Sequence, residues 1–223
     1  MAASTWAVLV AAGAGTRLGF DQPKAFAPLG GRPLLAESLE RLDLSDWIDA
    51  IVVVAPPGWE EPTILLAEEL VVSKVAAVVP GGESRAHSVA AGLAEVPSEA
   101  LVVVVHDAAR PLLDDAVLGR VLGALSESVD GAIPAMAVAD TVKRVDRGRV
   151  VETVDRASLV TVQTPQAFVA ERLRAAYRGD LADVTDCAAL VERAGGSIAV
   201  VEGGVALAKV TTAEDLARIE AAL

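Results

Sequence analysis

LVVVVHDAARP, residues 101–111, runs through five apolar residues without a polar break, then reaches a His-Asp pair and a turn of small residues. A strand that is apolar on consecutive residues is covered on both faces, as in a parallel sheet. Working outward, comparable short runs occupy Trp6–Ala11, Ala50–Ala55, Val75–Val79 and Gly131–Pro134. Helical spacing fills the intervals. Pro33 stands where a first-turn proline is favoured, and Leu34, Leu35, Leu39 and Leu42 recur behind it. Further helices are predicted over Glu60–Val71, Ser84–Ala94 and Asp114–Leu125. Strand, helix, strand in this rhythm predicts right-handed crossovers and an α/β fold with a single doubly wound, mostly parallel sheet. Ligands of such sheets bind outside the carboxyl ends of the strands, where Asp107 stands.

Between Asp140 and Leu159 the rhythm changes. Apolar and charged residues alternate in TVKRVDRGRVVETVDR, with Asp146-Arg147-Gly148 as a turn signal. This predicts an antiparallel hairpin, residues 139–158, projecting from the sheet. Two strands alone are marginal in water and need a surface to lie against; a partner subunit is one candidate. Beyond it the spacing predicts a strand near Val160–Thr164, helices near Gln166–Tyr177 and Asp186–Ala194, a strand at Ser197–Glu202 and a closing helix from Thr212. Thr212 and Asp215 have capping-box spacing. No repeat, low-complexity tract or linker interrupts the chain, so residues 1–223 read as one domain.

Composition narrows the function. Of 223 residues, 19 are basic and 31 acidic, a formal charge of −12, which excludes a whole-surface basic field for nucleic acid. Hydrophobic residues make up 53% and aromatics only 3%, so the chain is too apolar for disorder and its core must be Ala, Val, Leu and Ile. No apolar run approaches the roughly 18 residues of a membrane helix. A stretch such as Trp6–Gly15 has no positive residue before it, unlike a signal peptide. One cysteine, Cys187, permits no internal disulfide, so a cytoplasmic location is expected.

After the first strand, Ala11-Ala12-Gly13-Ala14-Gly15-Thr16-Arg17 offers small residues that let backbone N–H groups approach an anion. The Walker A pattern fails for want of Lys-Ser/Thr. The dinucleotide pattern fails because position 18 is Leu and the second strand ends in Ala55-Pro56-Pro57. Arg17 and Lys24 instead bring two cations to one strand end, which suits a triphosphate; a tight turn with solvated basic residues is the alternative. Pro80-Gly81-Gly82-Glu83-Ser84-Arg85 precedes a helix with Ser88 in its first turns, either an anion site or a glycine turn with a serine cap. Asp107 can hold magnesium as the single carboxylate beside substrate phosphates, and Arg110 can grip an anion. His106 reads as a packed strand residue and His87 as a helix-surface residue. Seven cations (Arg17, Lys24, Arg85, Arg110, Lys143, Arg156, Lys209) fall at strand ends or loops of an otherwise acidic chain, the arrangement of a focused anion site. No Ser-His-Asp, Cys-His or zinc constellation can be assembled.

The series AAGAGTRLG…QPKAF, PGGESRAHSVAAGL, VHDAARP, DTVKRV, TVDRASL, QTPQAF, VTD and KVTT resembles the 2-C-methyl-D-erythritol 4-phosphate cytidylyltransferases, in family order and over nearly the whole chain. The opening loop is shared by many nucleotidyltransferases; VHDAARP with DTVKRV, TVDR, TPQAF and KVTT is far more specific. The resemblance implies a Rossmann-like nucleotidyltransferase fold and CMP transfer from CTP to methylerythritol phosphate, releasing pyrophosphate, in the non-mevalonate isoprenoid pathway. It implies that Ala11, Ala12, Gly13, Gly15, Gly81, Gly82 and Ser88 cradle the nucleotide and that Arg17, Lys24 and Lys209 are catalytic. Asp107 would bind Mg2+ and lie near both substrates, and Arg110, Thr164, Thr185 and Lys209 would line the sugar-phosphate side. The hairpin would cross to a second subunit, giving a homodimer in which Thr141 and Arg156 serve the neighbour's site. The chain departs from the family at Val10 (often Pro), Ala25-Phe26 (commonly Gln-Tyr) and Cys187 (commonly acidic). A cytidylyltransferase for another sugar phosphate, such as ribitol 5-phosphate, is the alternative, since its nucleotide half would look the same.

Overall fold

A computed structural model of the chain describes residues 4–13, 15, 19 and 21–223. Arg17 lies outside the described residues. The strands β1 Thr5–Val10, β2 Ala50–Ala55, β3 Val75–Pro80, β4 Val102–Asp107 and β5 Gly131–Ala137 alternate with helices α1 Leu34–Leu44, α2 Glu60–Glu69, α3 Arg85–Ala94 and α4 Asp115–Gly123. The arm, β6 Val142–Asp146 and β7 Arg149–Val154, follows. After it come β8 Val160–Val162, β9 Gln166–Val169, α5 Ala170–Ala176, α6 Cys187–Arg193, β10 Ile198–Glu202 and α7 Ala213–Glu220. The sheet order is β8-β5-β9-β4-β1-β2-β3, with β10 also paired to β5. Pairing is parallel at β1–β4, β1–β2, β2–β3 and β5–β10; β8 and β9 run antiparallel to their neighbours.

The consecutive apolar residues feed two cores. Ala7, Leu9, Ile51, Val53 and Val104 pack on one face with α1 and α4, against Leu35, Leu39, Val117 and Leu118. Val8, Val52, Val54, Val103 and Val105 pack on the other with α3, α5 and α6, against Val89, Leu173 and Leu190. Each fully buried Val or Leu stabilises the fold by about 1.5–3 kcal/mol, so both faces resist polar substitution.

Three expectations need correction. Gln166–Val169 is a strand, not the start of a helix; α5 begins only at Ala170. β9 fills the slot between β4 and β5, and Phe168 occupies the space above Gly131, where a Cβ would lie 2.4 Å from its ring. Packing here overrides local helical propensity. Pro33 is the N-cap of α1 rather than its first residue, with ψ near 137°. The second helix stops at Glu69, and Val71 beyond it has φ 56°.

The hairpin turns at Arg147 (φ 45°) and Gly148 (φ 77°), both left-handed as a type I′ turn requires. Its strands form a separate two-stranded sheet, and Val145, Val150 and Val151 are exposed on it. Thr212 and Asp215 form the expected capping box on α7.

Candidate active site

The carboxyl ends of β1, β2 and β4 converge, and their loops interlock through backbone bonds. The Ala11 N–H donates to the Val54 carbonyl (2.9 Å), the Gly81 N–H to that of Ala55 (2.9 Å) and the Ala108 N–H to that of Val10 (3.0 Å). Glycines permit the approach. A Cβ at Gly81 would lie 2.1 Å from that of Ala12, and one at Gly15, where φ is +65°, 2.3 Å from that of Lys24. Ser84 caps α3 by accepting from the His87 N–H. The Ser88 hydroxyl donates to the Ser84 carbonyl (2.9 Å) and accepts from the Gly82 N–H (3.1 Å), fixing the glycine turn.

A cavity of about 380 Å³ opens there, lined among others by Ala11, Ala12, Gly13, Lys24, Gly82 and Ser88. A second, of about 410 Å³, is lined by Arg110, Gln163, Thr164, Gln166, Thr185 and Asp186, among others. Arg85, Asp107 and Lys209 belong to the walls of both.

Those three residues form the centre. Asp107 Oδ1 accepts from Arg85 Nε at 2.9 Å and has Arg85 Nη2 also at 2.9 Å; its Oδ2 accepts from Lys209 Nζ at 2.7 Å. Burial alone would raise the pKa of Asp107, but the guanidinium and ammonium outweigh it and hold the carboxyl well below the usual carboxylate range. Arg85 Nη1 also faces Cys187 Sγ at 3.7 Å, and Cys187 meets the Tyr177 hydroxyl at 3.2 Å. Burial pushes the Cys187 thiol up, more than Arg85 pulls it down, so it stays neutral at neutral pH. It supports Arg85 without competing with Asp107 for the charge.

Behind the centre, burial pushes the His106 pKa down to about 4, the neighbouring Asp107 charge opposing only in part. The ring is therefore neutral near pH 7. Its Nε2–H donates to the Arg110 carbonyl (3.1 Å), leaving Nδ1 to accept from the Thr164 hydroxyl (3.1 Å). The Thr164 hydroxyl in turn accepts from the Asp107 N–H (3.0 Å). A group whose folded pKa lies below its unfolded value contributes stability that is present above the unfolded value, ~6.5, and lost as pH falls towards the folded one. Unfolding free energy should therefore drop by about 2 kcal/mol between pH 7.5 and 5 on account of His106. Guanidinium titrations at both pH values check this; a His106→Asn variant with an undiminished drop would refute it.

Lys24 Nζ donates to the Val210 carbonyl (2.6 Å), and the Val210 N–H donates to the Ala109 carbonyl (2.8 Å). Arg110 reaches the Leu207 and Val162 carbonyls. The structure thus brings together Ala11, Ala12, Gly13, Lys24, Gly82, Ser88, Asp107 and Lys209 at the first cavity. Arg110, Thr164 and Thr185 join Asp107 and Lys209 at the second. Gly15 and Gly81 are not among the lining residues of either cavity; each makes room for a residue that lines the first, Lys24 and Ala12. The seven cations do not all converge: Lys143 bonds Thr153 on the arm, and Arg156 donates to the Ala139 carbonyl there. Thr141 also belongs to the arm region and lines neither cavity. In the sequence Arg85 stands out only as a cation, Gln163, Gln166 and Asp186 only as members of the QTPQAF and VTD motifs, and Tyr177 not as a site residue at all. For Arg85 the available signal was its position as the first helical residue after a glycine turn.

The profile of the 2-C-methyl-D-erythritol 4-phosphate cytidylyltransferase family matches residues 5–223. A cytidylyltransferase of that name from Nocardia farcinica is 45% identical over 221 residues, covering 99% of this chain and 94% of the relative. The crystal structure of the Thermus thermophilus enzyme of that name superposes with a TM-score of 0.78 at 33% identity, covering 96% of each chain. A 4-diphosphocytidyl-2C-methyl-D-erythritol synthase from Anaerococcus prevotii superposes with a TM-score of 0.83 at 27% identity, covering 98% of this chain and 97% of that one. With a paired-cavity centre and full-length likeness in sequence and fold, the chain belongs to the 2-C-methyl-D-erythritol 4-phosphate cytidylyltransferase family.

Proposed function

We propose that CTP occupies the first cavity and methylerythritol phosphate the second, and that the two react across the Asp107–Arg85–Lys209 centre. The observation that carries this reading is the shared wall: the same three charged side chains border both cavities. An oxygen of the acceptor phosphate attacks the α-phosphorus of CTP in line. The bond from that phosphorus to the bridging oxygen breaks, and pyrophosphate leaves with the electron pair. The attacking phosphate is already largely ionised at neutral pH, so no protein nucleophile or base is required. Catalysis is then positioning plus electrostatics. Lys24 and Arg17 offset the growing charge on the triphosphate, Lys209 bridges the two substrates, and Arg110, Thr164 and Thr185 hold the acceptor.

The centre suits a magnesium ion carried in by the nucleotide. Asp107 Oδ2 takes one ammonium contact and keeps a lone pair, and no cluster of three acidic, His or Cys side chains able to hold a metal stands among the described residues. One carboxylate plus substrate phosphates is the usual magnesium set. Asp107 would hold the ion, which when bound neutralises phosphate charge.

The exposed valines of a hairpin that pairs with nothing else in the sheet support docking on a second copy. In that homodimer Thr141 and Arg156 serve the neighbour's second cavity. No described helix is long and apolar enough to cross a membrane. A cytoplasmic location accords with a CTP substrate and the free Cys187. Pyrophosphate release tests the reading: it should require CTP rather than ATP, GTP or UTP, and methylerythritol phosphate as acceptor. Faster release with ribitol 5-phosphate would overturn the acceptor assignment.

A further inference from the structure

Three buried side-chain atoms among the described residues lack a hydrogen-bond partner: Arg85 Nη2, Arg110 Nε and Gln166 Oε1. The first lies 2.9 Å from the Asp107 carboxylate and is neutralised there. The other two belong to side chains in the wall of the second cavity, one a donor and one an acceptor. Gln166 is 1% exposed, and its neighbours dictate which end of its amide is free. Nε2 lies 3.0 Å from Asp186 Oδ2 and 3.4 Å from the Gln163 carbonyl, both acceptors. Exchanging nitrogen and oxygen would set oxygen against oxygen at both contacts. Asp186 cannot turn away readily, because its Oδ1 accepts from the Ala189 N–H as the cap of α6. The carboxamide oxygen is therefore the end without a partner. Gln166 also opens β9, in register with Val105, two residues before Asp107.

Buried acceptors left unsatisfied are rare and unfavourable, and a ligand that supplies a donor removes the penalty. On a phosphorylated polyol at neutral pH the donors are its hydroxyls, whereas phosphate oxygens chiefly accept. We propose that Gln166 is a specificity-determining residue for the acceptor, its carboxamide oxygen taking a hydrogen bond from one hydroxyl of the phosphorylated polyol while Arg110 Nε donates to an oxygen of the same molecule. This rests on the second cavity being the acceptor site.

The test uses full-length protein, CTP, methylerythritol phosphate and a set of analogues each lacking one hydroxyl. Wild-type protein should lose about 10- to 100-fold in kcat/KM on the analogue missing the hydroxyl that Gln166 reads. Gln166→Met should lose a similar factor on the parent acceptor, through KM for the acceptor with KM for CTP unchanged, and nothing further on that one analogue. Gln166→Leu, a second apolar replacement of similar length, should show the same pattern, so a poorly folded Met variant does not end the test. Far-UV circular dichroism checks both variants. Equal losses on every analogue for Gln166→Met or Gln166→Leu overturn the assignment to Gln166 alone. Wild-type protein that releases no pyrophosphate with any polyol phosphate overturns the acceptor-site reading as well.

Discussion

Replacing Asp107 with Asn will lower kcat for pyrophosphate release more than 10³-fold while CTP binding weakens by no more than a few-fold. The carboxylate stands among cations that also face the cavities: Arg85 and Lys209 touch it, Arg110 borders the second cavity and Lys24 the first. Deleting one negative charge there makes both cavities more positive, so ground-state attraction for the triphosphate does not collapse. Turnover does, because Lys209 loses the partner that aims it between the two substrates and the carboxylate proposed to hold magnesium is gone. Stability falls as well. Asp107 and Arg85 are a mostly buried pair, with side chains 9% and 22% exposed, and removing one member of such a pair costs about 3–5 kcal/mol. The 41% exposed Lys209 adds little. For a chain of this length the melting temperature should drop by about 10 °C. Calorimetric titration with CTP, steady-state kinetics and thermal melts are the measurements. An Asn variant that turns over within tenfold of wild type would remove Asp107 from the centre of the mechanism.

Physical reasons separate what the sequence discloses from what it hides. Strands β1, β2 and β4 are legible because both faces are covered: Val8 and Leu9 look in opposite directions into two cores, so neither position tolerates polarity. Asp107 is legible for a related reason, since a charged residue that ends an apolar strand lies at the ligand end of the sheet. β9 is hidden, because its identity as a strand depends on the slot between β4 and β5 and on the side chain Gly131 lacks. The support for Arg85 is hidden too. It arises where the first residues of α3 and α6 and the end of α5 meet, at Arg85, Cys187 and Tyr177, and no local pattern links those positions. Gly15 and Gly81 also have a packing reason that no local pattern reveals: each makes room for another residue, Lys24 and Ala12.

Lys24→Ala should lower kcat by a few hundredfold or more, about 3–4 kcal/mol of lost transition-state stabilisation, with a smaller loss of stability from the bond to the Val210 carbonyl. The side chain extends from a short turn, Lys24–Phe26, whose Ala25 and Phe26 pack on the core, so the backbone position does not depend on the ammonium. Alanine keeps the Cβ that abuts Gly15, so the loop contact survives while the charge is lost. A similar loss is expected for Arg17→Ala. The variant also tests the arm. In a dimer joining a Lys24→Ala subunit to an Arg156→Ala subunit, an exchanged arm leaves one site with both residues altered and the other with both intact. Random mixing makes about half the dimers mixed, so about a quarter of all sites should be restored, measured at low acceptor concentration where loss of Arg156 is felt through KM. If each arm serves its own subunit, every site stays defective and the mixture gives only the mean of the two variants. That outcome would leave the Lys24 assignment standing and remove Arg156 and Thr141 from the neighbouring site.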